Sequence, residues 1–294
     1  MAGNHITIPE TCAWQVDGLR YEGLAWGPKD GLPVLALHGW MDHAASFQEL
    51  APLLPDCRIV AIDLSGQGLS AHRAAHASYN IWDDLPQIAE ILDQLGWADC
   101  VLMGHSRGAN ISGLFAAAQP HRVRALIALD ALVPEPSQQD FVTTLQAFVD
   151  QTRAQKARPP RSFANRDAYI ARRIAQGNAP AISHALAERA LISSPEGVVL
   201  RGDGRMFASS AMKLKQPDIE AVMAALACPV LNIWALEGLR AKRPVYNDLV
   251  AKAQELIGDY TVLDLPGDHH FHLEPAHAPA IATAIRAFLA KVAA

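Results

Sequence analysis

Short apolar runs recur along the first part of the chain: Tyr21–Trp26, Val34–Leu37, Arg58–Ile62 and Val101–Met103, with an amphipathic helical stretch, Ile81–Leu95, before the last of them. Runs this short suit strands buried on both faces, and their alternation with helical periodicity predicts a mostly parallel sheet covered by helices. After Leu126–Leu129 the rhythm stops. From Pro134 to Lys215 there is no apolar strand run, and Val142–Lys156, Arg166–Gln176 and Ala181–Leu191 read as helices. The strand rhythm resumes at Pro229–Trp234 and Tyr260–Leu265, and Ala276–Val292 closes the chain as an Ala-rich amphipathic helix. The pattern predicts an α/β core made of residues 1–133 and 216–294, interrupted by a helical insertion over 134–215. Pro134 and Pro136 mark the insertion's entry, and Pro159 and Pro160 a break inside it.

Composition narrows the classes. With 294 residues, half of them hydrophobic, the chain can bury a sizeable core. A net charge of −5 without a basic run gives no reason to expect a nucleic-acid partner or an acidic membrane surface. Arg153, Lys156, Arg158 and Arg161 come nearest to a basic cluster and read as a solvated helix face. Cys12, Cys57, Cys100 and Cys228 are widely separated, lack metal or redox spacing and read as buried, reduced thiols. Residues 1–10 show no leader pattern, and no apolar run is long enough to span a bilayer, so a cytoplasmic location is expected.

Candidate chemistry centres on Val101–Asn110, which places Ser106 in Gly104-His105-Ser106-Arg107-Gly108, between a strand and a helix rich in small residues. Gly-x-Ser-x-Gly in that setting is a nucleophile elbow: the turn is so sharp that the serine is held in a strained conformation with its hydroxyl presented. A serine hydroxyl needs a base within hydrogen-bond reach and a third group to orient the base. The late loop Leu265–Pro275 carries His269, His270 and His272 at the carboxyl edge of the sheet, where the base should stand. A metal site would want carboxylate or thiolate company at fixed spacing on one element, and none is expected here. Acyl transfer also needs two N–H groups aimed at the developing oxyanion. Arg107 supplies one as the residue after the nucleophile, and Trp40, in Leu37-His38-Gly39-Trp40 directly after a strand, is placed to supply the other. His38, Gly39 and His105 flank these groups and are candidates for substrate contact.

The elbow, the His38-Gly39-Trp40 segment and the terminal histidine loop together resemble an α/β-hydrolase, in that superfamily's order. Three longer segments, His38–Phe47, Asp63–Ser70 and Gly267–Leu273, resemble its serine hydrolase-like branch. The resemblance implies a helical cap formed by the insertion, and a Ser-His-acid triad. Most relatives carry the acid after the strand that follows the insertion, where this chain has Gly238, with Glu237 beside it. The fold's other acid location follows the strand after the elbow helix, and there stands Asp130. Asp130 is therefore the expected acid, with Glu237 as the alternative. His269, five residues before Glu274 as in relatives, is the expected base, with His270 as the alternative; His272 is expected to pack within its loop. Asp63 is expected to be structural.

The implied activity is hydrolysis of a carboxylic ester, thioester or lactone through an acyl-enzyme on Ser106, with a small acyl substrate and no cofactor. A serine at the elbow argues against dehalogenase or epoxide-opening chemistry, which relies on a carboxylate there. Acyl transfer, carbon–carbon bond hydrolysis and a catalytically silent binding module remain alternatives, and a monomer or homodimer is expected. Phe141, Leu145, Phe148, Phe163 and Tyr169 are candidates for lining an acyl pocket.

Overall fold

The computed structural model describes residues 8–292; residues 1–7, on which much of the leader expectation rests, and 293–294 lie outside the described residues. The chain opens with a hairpin of β1 (Glu10–Val16) and β2 (Leu19–Trp26), turned through Asp17-Gly18 with both φ values positive. There follow β3 (Leu32–Leu37), β4 (Cys57–Ile62), helix α1 (Leu85–Gln94), β5 (Cys100–His105), helix α2 (Arg107–Ala118) and β6 (Val123–Leu129). Between β6 and the next core elements come α3 (Phe141–Lys156), β7 (Ser162–Phe163), α4 (Arg166–Ala175), α5 (Pro180–Ala190), β8 (Leu191–Ser194) and β9 (Gly197–Leu200). The core then resumes with α6 (Gln216–Ala224), β10 (Val230–Ala235), the short α7 (Leu239–Lys242), α8 (Val245–Leu256), β11 (Tyr260–Leu265) and α9 (Ala278–Val292).

The main sheet runs β1-β2-β4-β3-β5-β6-β10-β11, parallel from β4 onward and antiparallel at the β1-β2 end. The parallel strands are buried on both faces, which is why they read as continuous runs. Leu35 and Leu37 of β3 face the core beneath α1, α2, α6 and α8, while Val34 and Ala36 face the opposite core, closed by α9 through Ile281, Ala282, Ile285 and Phe288. Those four α9 residues recur at helical spacing on one side of the helix.

The insertion departs from the expected all-helical character: β7, β9 and β8 pair as a small antiparallel sheet. These strands are two to four residues long and only partly buried, so they leave no apolar run to read. Two buried contacts tie α5 to the core. The Arg189 guanidinium donates to Asp63 Oδ2 at 2.7 Å, and His43 Nε2–H donates to the Leu186 carbonyl at 2.9 Å. Asp63, which also accepts the N–H groups of Ala44 and Leu69, is the structural anchor expected of it.

Candidate active site

Strand register assembles the site. Leu37 pairs with Gly104, and His105 with Leu129, so Trp40, Ser106 and Asp130 leave one edge of the sheet from neighbouring strands. Ala235 pairs with Leu265, which brings the histidine loop to the same edge. The elbow is as sharp as its glycines imply. Ser106 has φ +52°, held by its N–H to the Leu129 carbonyl (3.0 Å) and by its own carbonyl accepting from Asn110 (3.1 Å). A Cβ on Gly108 would stand 1.9 Å from the Leu37 carbonyl oxygen, so only glycine lets α2 begin this close to β3. Asp130 (φ +49°) and Met41 (φ +61°) also occupy this sparsely populated region, and both border the site.

His269 Nε2 lies 3.0 Å from Ser106 Oγ, and His269 Nδ1 lies 2.6 Å from Asp130 Oδ2. Asp130 is fully buried and accepts two further donors: the Ala235 N–H on Oδ1 (3.1 Å) and the Leu239 N–H on Oδ2 (2.9 Å). Gly238 explains why the carboxylate fits. A Cβ there would stand 2.3 Å from Asp130 Oδ2 and 2.4 Å from Oδ1, so the acid at 130 requires the absence of a side chain at 238. Glu237 is exposed and turned away, contributing only its N–H to the Gly267 carbonyl.

His270 also points elsewhere. Its Nε2 faces Asp42 Oδ2 at 3.3 Å, and although it borders the same cleft it makes no hydrogen bond to Ser106. Burial works against the Asp42 carboxylate, but the His270 imidazole beside it counters this, and its pKa lies well below the usual range. His105, inside the elbow, donates Nε2–H to the His269 carbonyl at 2.7 Å, so the nucleophile's own turn positions the histidine loop. Burial pushes the His105 pKa down to about 4, which keeps the ring neutral.

Two expectations need correction. The His38 ring does not reach the site: its Nε2 accepts the Leu64 N–H (2.9 Å) and its Nδ1–H donates to the Gly39 carbonyl (2.7 Å), fastening two loops beneath it. His272 reaches out of its loop, with Nε2 2.8 Å from Ser46 Oγ, because it is fully buried against that segment. The Arg107 side chain donates to the Tyr79 carbonyl at 3.1 Å and does not border the cleft. Its backbone N–H and that of Trp40 have no acceptor among the described residues.

A cleft of about 300 Å³ opens over Ser106 and His269, bordered by Gly39, Trp40, Met41, Asp42 and His105 from the core and by Arg173, Gln176 and Asn178 from the insertion. A second cavity of about 190 Å³ shares Trp40, Met41, Arg173 and Gln176 with it and continues past Phe163, Tyr169, Leu200 and Phe207. Phe163 and Tyr169 therefore line the space as expected. Phe141 and Leu145 are exposed, and Phe148 borders a separate hollow beside Tyr79, because α3 lies on the insertion's outer side. Sequence reasoning passed over Asn232, a polar residue in the apolar β10 run. Its amide donates to the carbonyls of Ala128 (3.1 Å) and Ala131 (3.0 Å), one on each side of Asp130. Among the described residues no cluster of histidines, thiols and carboxylates is arranged to hold a metal, and no helix is long and apolar enough to cross a membrane.

Comparison with known proteins establishes the family. Residues 33–276 match the family model for the α/β-hydrolase fold. A serine hydrolase-like protein of Dictyostelium discoideum is 32% identical over 273 residues, 87% of this chain and 75% of that one. A probable serine hydrolase of Drosophila melanogaster is 31% identical, covering 84% of this chain and 78% of its own. The crystal structure of a hypothetical protein from Pseudomonas aeruginosa superimposes with a TM-score of 0.89 at 34% identity, over 96% of this chain and 99% of that one. The chain belongs to the α/β-hydrolase family, in its serine hydrolase-like branch.

Proposed function

We propose that the protein hydrolyses a carboxylic ester, thioester or lactone through an acyl-enzyme on Ser106, with His269 as base and Asp130 as the acid that orients it. The observation that carries this reading is the continuous contact from Ser106 Oγ through both ring nitrogens of His269 to Asp130, at 3.0 and 2.6 Å. Ser106 Oγ attacks the acyl carbonyl carbon while its proton passes to His269 Nε2. Asp130 holds Nδ1–H and stabilises the imidazolium without taking the proton. The N–H groups of Trp40 and Arg107 receive the oxyanion. Collapse of the tetrahedral intermediate expels the alcohol or thiol, which takes the proton from His269. Water then gives a proton to the same nitrogen as it attacks the acyl-enzyme, and a second collapse releases the acid and restores Ser106. No step calls for a cofactor.

The insertion acts as a cap that closes the acyl pocket, anchored by the Arg189–Asp63 pair. The test is stoichiometric labelling of Ser106 by a neutral organophosphonate, paired with hydrolysis of p-nitrophenyl esters. Both should vanish in Ser106→Ala. Turnover that persists undiminished in Ser106→Ala would refute the assignment.

A further inference from the structure

The cap presents positive charge to the catalytic cleft without neutralising it. Arg173 borders both the cleft over Ser106 and the adjoining cavity, and Arg161 and Arg172 line that cavity. None of the three has a carboxylate within ion-pair distance among the described residues. Arg173 has only long contacts, to the Tyr169 hydroxyl and the Asn178 side-chain oxygen, both at 3.4 Å, and its buried Nε has no partner. Of the insertion's other arginines, Arg166, Arg189 and Arg205 pair with Glu188, Asp63 and Asp203, and Arg153, Arg158 and Arg201, which also lack a carboxylate, do not border either cavity. The position of Arg172 and Arg173 in the last turn of α4 favours cations there, but Arg161 lies outside any helix and converges on the same cavity. Asp42 is the carboxylate on the cleft wall, and it already faces His105 and His270. The Arg161 guanidinium is held 5.8 Å above the Phe207 ring, and that of Arg173 6.0 Å above Tyr169, so the charges are braced by aromatic faces.

We propose that the substrate is an acyl ester or thioester carrying an anionic group, carboxylate or phosphate, which the unpaired Arg173, Arg172 and Arg161 of the cap hold while its carbonyl lies at Ser106. Arg173 is half-buried, whereas Arg161 and Arg172 are exposed where they line the cavity; together the unpaired guanidiniums concentrate positive potential beside Ser106 and offer planar forks suited to either anion. The carboxylate would sit at the far end of the acyl chain, or the phosphate in the leaving thiol or alcohol. This inference rests on the hydrolase reading above and names the substrate class for the same site.

The test uses four thioesters: butyryl and glutaryl groups, which differ by one terminal carboxylate, each on pantetheine and on 4′-phosphopantetheine, which adds one phosphate to the same thiol arm. The kcat/KM ratio of charged to neutral partner is read for wild type, Arg173→Gln and Arg161→Gln, with phosphonate labelling of Ser106 as the check on each protein. One charged series should exceed its neutral partner by roughly 10-fold or more, and that ratio should fall by a similar factor in the glutamine variants, as expected for loss of charge-assisted hydrogen bonds. A preference along the acyl arm identifies a carboxylate, and one along the thiol arm a phosphate. Ratios within about 2-fold of unity, or ratios unchanged in both variants, overturn the inference alone. Labelling without turnover of any of the four also overturns it while leaving the serine chemistry intact. Absence of both labelling and turnover overturns the hydrolase reading and this inference with it.

Discussion

Asp130→Asn tests the location of the acid, and its outcome can be worked from the groups around that carboxylate. Oδ2 accepts from His269 Nδ1 and from the Leu239 N–H, and Oδ1 accepts from the Ala235 N–H. All three partners donate, so the amide NH₂ of asparagine meets a donor in either orientation. Turned towards His269, it selects the tautomer with the proton on Nε2, facing Ser106, and the base is lost. Turned towards Ala235, it opposes that N–H in a buried space, at about 1–3 kcal/mol, and the charge that stabilises the imidazolium is gone as well. The corresponding change in a chymotrypsin-type triad lowers kcat by about 10⁴. A loss of roughly a thousandfold or more is expected here, on the order of 4 kcal/mol at 1.36 kcal/mol per decade. Gly238→Ala should reproduce part of that loss without touching substrate. Its Cβ would stand 2.3 Å from Oδ2, forcing the carboxylate aside by on the order of 1 Å, a displacement worth about 100-fold. Glu237→Gln should leave turnover within about 2-fold, as for an exposed substitution remote from the site. The assay is kcat on p-nitrophenyl butyrate, with the thermal midpoint of each variant measured alongside. Asp130→Asn retaining more than about a tenth of wild-type turnover, or Glu237→Gln proving the damaging change, would refute the reasoning.

The other expectations are independent of that one. His269→Asn should cost at least about 10³ in kcat, whereas His270→Asn, which gives up the Asp42 contact and ring packing but no bond to Ser106, should cost far less; equal losses would mean the base is misassigned. Asn232→Leu removes both amide bonds around Asp130, and should lower stability by about 1–3 kcal/mol and lower kcat more than KM; a variant losing stability alone would make Asn232 merely structural. Arg189→Gln leaves the Asp63 carboxylate buried without its cation and should cost about 3 kcal/mol, seen as a thermal midpoint lower by several degrees. Stability should also fall with acid. Burial lowers the pKa values of His38, His43 and His272 and puts that of His105 at about 4. The unfolded chain therefore takes up protons that the folded one refuses. Their contribution is full above about pH 6.5 and is lost progressively as pH falls towards 4, with roughly 3 kcal/mol from His105 alone. A urea midpoint that does not move between pH 7.5 and pH 5 would contradict this.

What was legible in the chain is what local chemistry writes into neighbouring residues. The strands buried on both faces appear as unbroken apolar runs, and the elbow and the Trp40 turn are each contained in a few consecutive residues. The hairpin strand β1 was passed over because it alternates, with Trp14 and Val16 inward and its neighbours outward; the Asp17-Gly18 turn, a two-residue hairpin signal, was the available clue. The buried contacts that steady the site join segments far apart in sequence: Asn232 to Ala128, His105 to His269, Arg189 to Asp63. No spacing rule reaches across such distances, and the arginines lining the cleft become a group only when α4 and the Arg161 segment fold over Trp40.

Gly238 shows the same limit in its sharpest form. Read along the chain it is a missing acid, and it motivates a silent module. In the folded protein it is the space that the Asp130 carboxylate occupies, with Leu239 and Ala235 turned to donate into it. A lost triad would leave those two N–H groups and the imidazole Nδ1 without a common acceptor in a buried pocket, a costly arrangement. Here all three converge on one carboxylate. The glycine at 238 and the aspartate at 130 are therefore one feature, and neither can be interpreted, or usefully mutated, without the other.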